Sequence, residues 1–227
     1  PTGFAMMYVP WILFGLYRSI VDRRTSGGWL AGISLLMAGW GDIHTFFFSA
    51  LLVPPWCLFC FFTQPHPSLK LPEIRNLIKS LSGFIFMGFV VIAQVAFIRA
   101  QLSGGTMDKG RTVEEVALFS PPADALLDPD PDHPWNRIYL TYSALTLMLA
   151  GLFWMGRRLF TSPKGDRPFR AALAYTALLA AVAAMTALSL GPSISLAWGP
   201  AVWNALCTLI PPYEMIRQPA KIFSGLT

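Results

Sequence analysis

Apolar residues in this chain gather into runs, at positions 4–17, 28–40, 46–62, 81–98, 138–155 and 171–190. A helix needs about 20 predominantly apolar residues to cross a bilayer. The pattern therefore predicts an all-α, polytopic transmembrane bundle of about six spans. The second run is short for a span and is expected to tilt or to extend by a few residues. Pro54-Pro55 predicts a kink or break in the third. Residues 63–80 are polar and predict a short surface helix from Pro72. The sixth run is rich in alanine, which suits close helix packing. Residues 191–212 are apolar but interrupted by Gly191-Pro192, Gly199-Pro200 and Pro211-Pro212. They read as a re-entrant or interfacial segment, part of a stretch from 191 to 221.

The longest polar passage, residues 114–137, contains Glu114, Glu115, Asp124, Asp128, Asp130, Asp132 and His133, with five prolines. Proline removes a backbone donor and breaks helices, so this passage predicts a shaped loop within a larger loop at 99–137.

Composition agrees with a membrane chain. Of 227 residues, 54% are hydrophobic and only 13% charged, against about 25% charged in soluble domains. The net charge of +5 is too small to argue for nucleic acid, and membrane topology accounts for it more simply. Cys57, Cys60 and Cys207 make no disulfide framework; Cys57 and Cys60 read as buried membrane cysteines.

Charge then orients the spans. With strict alternation of six spans, one face holds Arg18, Arg23, Arg24, Lys70, Arg75, Lys79, Arg157, Arg158, Lys164, Arg167 and Arg170, 11 of the 17 cations. Of the 12 acids, only Asp22, Glu73 and Asp166 share that face. The excess of lysine and arginine marks the cytoplasmic side. The acidic loop, the Asp42/His44 turn and the Arg217/Lys221 segment are thereby expected on the extracytoplasmic face. The chain opens and closes within apolar sequence, so residues 1–227 are expected to form one membrane domain of a longer protein.

Several residues are candidates for chemistry. Asp42 and His44 interrupt the second and third runs; they are either a site at the membrane edge or a solvated turn whose aspartate caps the next helix. Asp128, Asp130, Asp132 and His133 alternate with prolines. Oxygen ligands in that pattern suit a hard divalent cation, but prolines resist the wrapping such an ion needs. Arg217 and Lys221 could clamp a phosphate, arginine as a fork and lysine as a point charge, or could anchor to lipid headgroups. Gln94 reads as interhelical glue.

The chain resembles the later part of GT-C-type membrane glycosyltransferase-like proteins, including the YfhO-type bacterial group. Three passages carry the resemblance: Phe119-Ser120-Pro121 through Leu126-Leu127-Asp128-Pro129 to Asp132-His133-Pro134; Leu188-Ser189-Leu190-Gly191-Pro192; and Ile210-Pro211-Pro212 followed by Arg217-Gln218-Pro219-Ala220-Lys221. The resemblance implies a multi-span enzyme of the bacterial cytoplasmic membrane that uses a polyprenyl-phosphate sugar on the extracytoplasmic face. It also implies a catalytic acid in a first extracytoplasmic loop, which would precede Pro1. Lys221 stands where the family has a second arginine. On this reading Arg217 and Lys221 hold the lipid-linked phosphate, and Asp42, His44, Asp132 and His133 line the cleft, with a divalent metal as an optional helper. Membrane lipid and a lipid-linked sugar are the expected partners, and nucleic acid is not. The alternatives are a non-catalytic scaffold and a transporter, though a transporter needs polar residues deep in its spans and Gln94 is nearly alone there.

Overall fold

The computed structural model describes residues 5–64, 70–102, 111–121, 142–161, 163, 167–193 and 199–209. The described residues are helical, with no strand among them. The helices are α1 (Val9–Ile20), α2 (Thr25–Gly41), α3 (Ile43–Phe62), α4 (Leu71–Leu102), α5 (Val113–Leu118), α6 (Tyr142–Thr161), α7 (Arg167–Ser189) and α8 (Gly199–Leu209), with a 3-10 turn at Gly191–Ser193 before α8.

Every apolar run overlaps one of these helices, but not every helix can cross a membrane. Among the described residues, three segments are long and apolar enough: Ile43–Phe62, Leu71–Gln101 and Pro168–Ser189. α1 has 12 residues and α2 has 17, or roughly 18 and 26 Å at 1.5 Å per residue, against a hydrocarbon core of about 30 Å. α6 has 20 residues, but it carries Arg157 and Arg158. The all-helical architecture is as expected, while among the described residues three helices, where six spans are expected, meet the requirement for a span.

Local chemistry explains the helix ends. Pro10 sits in the first turn of α1, where its missing N–H costs nothing. Pro54 and Pro55 lie inside α3, which nonetheless runs unbroken from Ile43 to Phe62, so the break considered at that pair does not occur. Cys60 is fully buried in this helix and Cys57 is half-buried. The polar passage after α3 also differs from expectation. The short helix expected from Pro72 and the fourth apolar run are one helix, the 32-residue α4. At roughly 48 Å it is longer than the hydrocarbon core, so its first turns, with Glu73, Arg75 and Lys79, can lie outside the apolar layer.

The chain divides into two compact units, one of Pro1–Ile98 with Gly151–Ala181, the other of Arg99–Ala150 with Val182–Thr227. In the first, α2 packs between α1 and α4 through two neighbouring stripes of small residues. A Cβ at Gly27 would lie 2.6 Å from the carbonyl oxygen of Gly15 on α1, and one at Gly15 would lie 2.7 Å from that of Gly27. One position along, a Cβ at Gly28 would collide with the carbonyl oxygen of Ser80 on α4, and one at Gly32 would lie 2.5 Å from that of Gly83. Backbones that approach so closely gain van der Waals contact, the main attraction between helices where lipid tails are as apolar as leucine. Ile12, Leu16, Ala31, Leu35 and Ala38 form the core of this unit.

Polar groups join the same helices. The Ser80 hydroxyl donates to the Ser19 carbonyl at 2.9 Å, and the Ser19 hydroxyl donates back to the Ser80 carbonyl at 3.2 Å. Trp56 Nε1 donates to the Leu13 carbonyl at 2.8 Å, tying α3 to α1. Phe59 on α3 meets Tyr175 on α7 edge to face, with centroids 4.8 Å apart. Gln94 on α4 accepts from Trp40 Nε1 on α2 at 2.8 Å, which makes it the glue its sequence context indicated. A Gln94→Leu variant is expected to lose about 0.6 kcal/mol, the average for such bonds within membrane bundles. Equilibrium unfolding in mixed micelles would read that difference.

The outer faces remain apolar. Phe86, Phe89 and Phe97 of α4 are each more than half exposed. A stripe of aromatics this long would be an aggregation liability in water, whereas lipid removes the penalty. This is compatible with an integral membrane protein.

In the second unit, α5 and α8 both pack against the 3-10 turn. Gly191 opens that turn with φ +62°, a left-handed conformation that glycine adopts without penalty and that commonly closes a helix. The Leu190-Gly191-Pro192 step is thus a helix stop. α5 corrects the reading of residues 114–137 as loop throughout. Thr112 caps it by accepting the Glu115 N–H at 3.2 Å, and Glu115 pairs with Arg111 at 2.9 Å. Val116, Ser120 and Pro121 are buried beside it, and α5 ends directly before Phe119-Ser120-Pro121.

Candidate functional site at the α2–α3 junction

Asp42 is the single residue between α2 and α3. Its backbone is extended, with φ −161° and ψ 117°, and this ends one helix and starts the next. Its Oδ1 accepts two hydrogen bonds from His44: the backbone N–H at 2.9 Å and the ring Nδ1–H at 2.8 Å. The first bond is an N-cap, satisfying a donor that the first turn of α3 cannot satisfy internally. The second fixes the imidazole.

That second bond has chemical consequences. An ionised carboxylate only accepts, so Nδ1 must carry the proton. Nε2 is then the nitrogen free to accept a proton or, in the imidazolium, to donate one. The Asp42 side chain is 12% exposed and that of His44 30%, so the carboxylate is sheltered while the imidazole still reaches the surface. Phe48, one turn along α3, backs the ring at 6.3 Å between centroids. Thr45 is fully buried, and its Oγ1 has no hydrogen-bond partner among the described residues. A carboxylate–imidazole pair of this geometry can orient a hydroxyl, take up its proton or hydrogen-bond a phosphate oxygen.

Of the residues singled out from sequence, the structure brings Asp42 and His44 together. Asp132, His133, Arg217 and Lys221 lie outside the described residues, as do Asp128 and Asp130. Among the described residues, no group of three or more His, Cys, Asp or Glu side chains could hold a metal ion.

The sequence reading passed over a second polar group in the same unit, formed by Arg23 and Gln64. Its available signals were a doubled arginine after an apolar run and a glutamine two residues after another. Neither signal names the partner, because the two residues lie 41 positions apart.

No family model, no curated protein and no solved structure matches this chain.

Proposed function

We propose that this chain is part of a bacterial cytoplasmic-membrane protein of the GT-C glycosyltransferase-like type, acting on a polyprenyl-phosphate-linked sugar at the extracytoplasmic face. The observation that carries the proposal is the Asp42–His44 pair, hydrogen-bonded at 2.8 Å in the turn between two apolar helices. Ionisable side chains at the edge of an apolar layer are costly to keep unless they serve a cavity or a partner. The three sequence passages described above support the same class of protein.

In this proposal Arg217 and Lys221 neutralise the lipid-linked phosphate, whose charge grows as the sugar leaves. Cations positioned for a departing phosphate stabilise the transition state more than the ground state. Asp42 fixes the His44 ring, and His44 Nε2 hydrogen-bonds a hydroxyl or a phosphate oxygen of the substrate.

The test uses the full-length protein in proteoliposomes containing polyprenyl-phosphate sugar. Arg217→Ala is expected to abolish transfer and to weaken binding of the lipid phosphate by about tenfold or more, the loss of a charge-assisted contact. Lys221→Ala should have a smaller effect, because a point charge supplies less directional bonding. Binding that Arg217→Ala leaves unchanged would exclude this assignment. Wild-type protein that neither binds nor transfers would favour the scaffold.

A further inference from the structure

Arg23 lies between α1 and α2 with φ +57°, in the left-handed region where a helix end usually has glycine. The Arg24 N–H returns to the Arg18 carbonyl at 3.2 Å and closes the turn. The guanidinium is thereby carried inward. Its Nη2 donates to Gln64 Oε1 at 3.3 Å, just past the end of α3. Gln64 is only 7% exposed. Two donors in this small group, Arg23 Nη1 and Gln64 Nε2, are buried and have no acceptor among the described residues.

Among the described residues, no carboxylate lies within ion-pair distance of Arg23; the adjacent Asp22 faces Arg18 instead, at 3.8 Å. α2 begins two residues after Arg23, and its N-cap, Arg24, supplies no side-chain cap. A half-buried cation and buried donor atoms that lack a counter-charge and acceptors among the described residues are both costly. One occupant relieves both costs: an anion with several acceptor oxygens. Arginine's planar fork matches a phosphate in that role. We infer that Arg23 and Gln64 form a phosphate-binding site at the end of the helix bundle opposite Asp42 and His44, taking either a phospholipid headgroup or free phosphate.

The full chain in a neutral detergent is titrated with a phosphatidylglycerol, with a phosphate-free galactolipid and with inorganic phosphate. Native mass spectrometry counts bound lipid, and thermal shift reads all three ligands. The wild type is expected to bind at least one of the two phosphate ligands saturably and the galactolipid not at all. Arg23→Asn removes the cation with a residue that tolerates positive φ, and is expected to weaken that binding by about tenfold or more. Gln64→Leu should weaken it by several-fold, about the worth of one neutral hydrogen bond. Arg24→Gln removes an equal charge from the exposed neighbour and should change affinity by less than about twofold.

Lipid that millimolar inorganic phosphate cannot displace identifies a headgroup site; displacement, or binding of inorganic phosphate alone, identifies free phosphate. Equal weakening by Arg23→Asn and Arg24→Gln would reduce the effect to diffuse surface charge and overturn the inference. So would binding that none of the variants alters, or the absence of saturable binding to either phosphate ligand. Should Arg23→Asn fail to fold, Gln64→Leu decides alone.

Discussion

A Gly28→Leu variant is expected to lose the packing of α2 on α4 and to be the most destabilising change in the first unit. The added side chain would begin with a Cβ colliding with the Ser80 carbonyl oxygen. That atom belongs to the backbone of a long helix and cannot rotate away. Ser80 also exchanges two hydrogen bonds with Ser19, so moving it disturbs α1 as well. Overpacking a close interface usually costs about 1–3 kcal/mol; a backbone obstacle with three helices coupled through it belongs at the top of that range. Gly88 provides the control. It lies on α4, the helix that carries Ser80, and a Cβ there would meet nothing within 4 Å. Gly88→Ala is expected to be neutral or to stabilise by up to about 1 kcal/mol through helix propensity. Unfolding of both variants in mixed micelles, alongside size-exclusion profiles, separates a steric effect from a propensity effect. Similar stability of Gly28→Leu and Gly88→Ala would contradict the stripe-to-stripe packing.

The second large effect concerns Asp42, whose two hydrogen bonds with His44 serve different ends and can be separated. Asp42→Ser keeps an N-cap oxygen, since serine caps helices about as well as aspartate, but removes the carboxylate that orients His44. Stability is expected to fall by less than about 0.5 kcal/mol. Sugar transfer by the full-length protein should fall by about tenfold or more, as when a charge-assisted hydrogen bond is lost. Asp42→Ala removes both functions and should add about 1 kcal/mol of destabilisation. His44→Ala leaves the carboxylate and removes the ring, so it should match Asp42→Ser in activity. Activity that follows stability across all three variants would leave Asp42 as a helix cap and no more.

These two tests bear on different layers of the molecule, and the layers were not equally legible in the sequence. The apolar runs predicted helices correctly because a hydropathy run is a local property, and each helix satisfies its backbone within itself. Helix ends were harder to place. Pro54-Pro55 predicts a kink or a break in the third run, and the helix continues through both prolines without the break. Residues 71–80 were set apart from the fourth run because lysine and arginine change their polarity, although nothing in the backbone ends there. Glu114 and Glu115 were assigned to a proline-rich loop, while Thr112 three residues before Glu115 is a capping signal that starts α5.

The Asp42–His44 pair was legible because both partners lie in one turn, two residues apart. Arg23 and Gln64 were not, since a hydrogen bond across 41 positions depends on how α1, α2 and α3 end together. The glycine stripes lie between these cases. Gly27, Gly28 and Gly32 are plain in the sequence, but which neighbour each would meet is set by the helix crossings. By itself, then, the sequence determined that the chain is helical and apolar, where its runs lie, and that an acid and a histidine share a turn. Those properties follow from hydropathy and short-range hydrogen bonding. Only the tertiary structure decided which glycines meet which backbones, that Gln94 is held by Trp40, and that Arg23 is half-buried against Gln64 with no carboxylate at ion-pair distance among the described residues. Each of these needs atoms far apart in sequence to come within a few ångströms, and no local pattern encodes that distance.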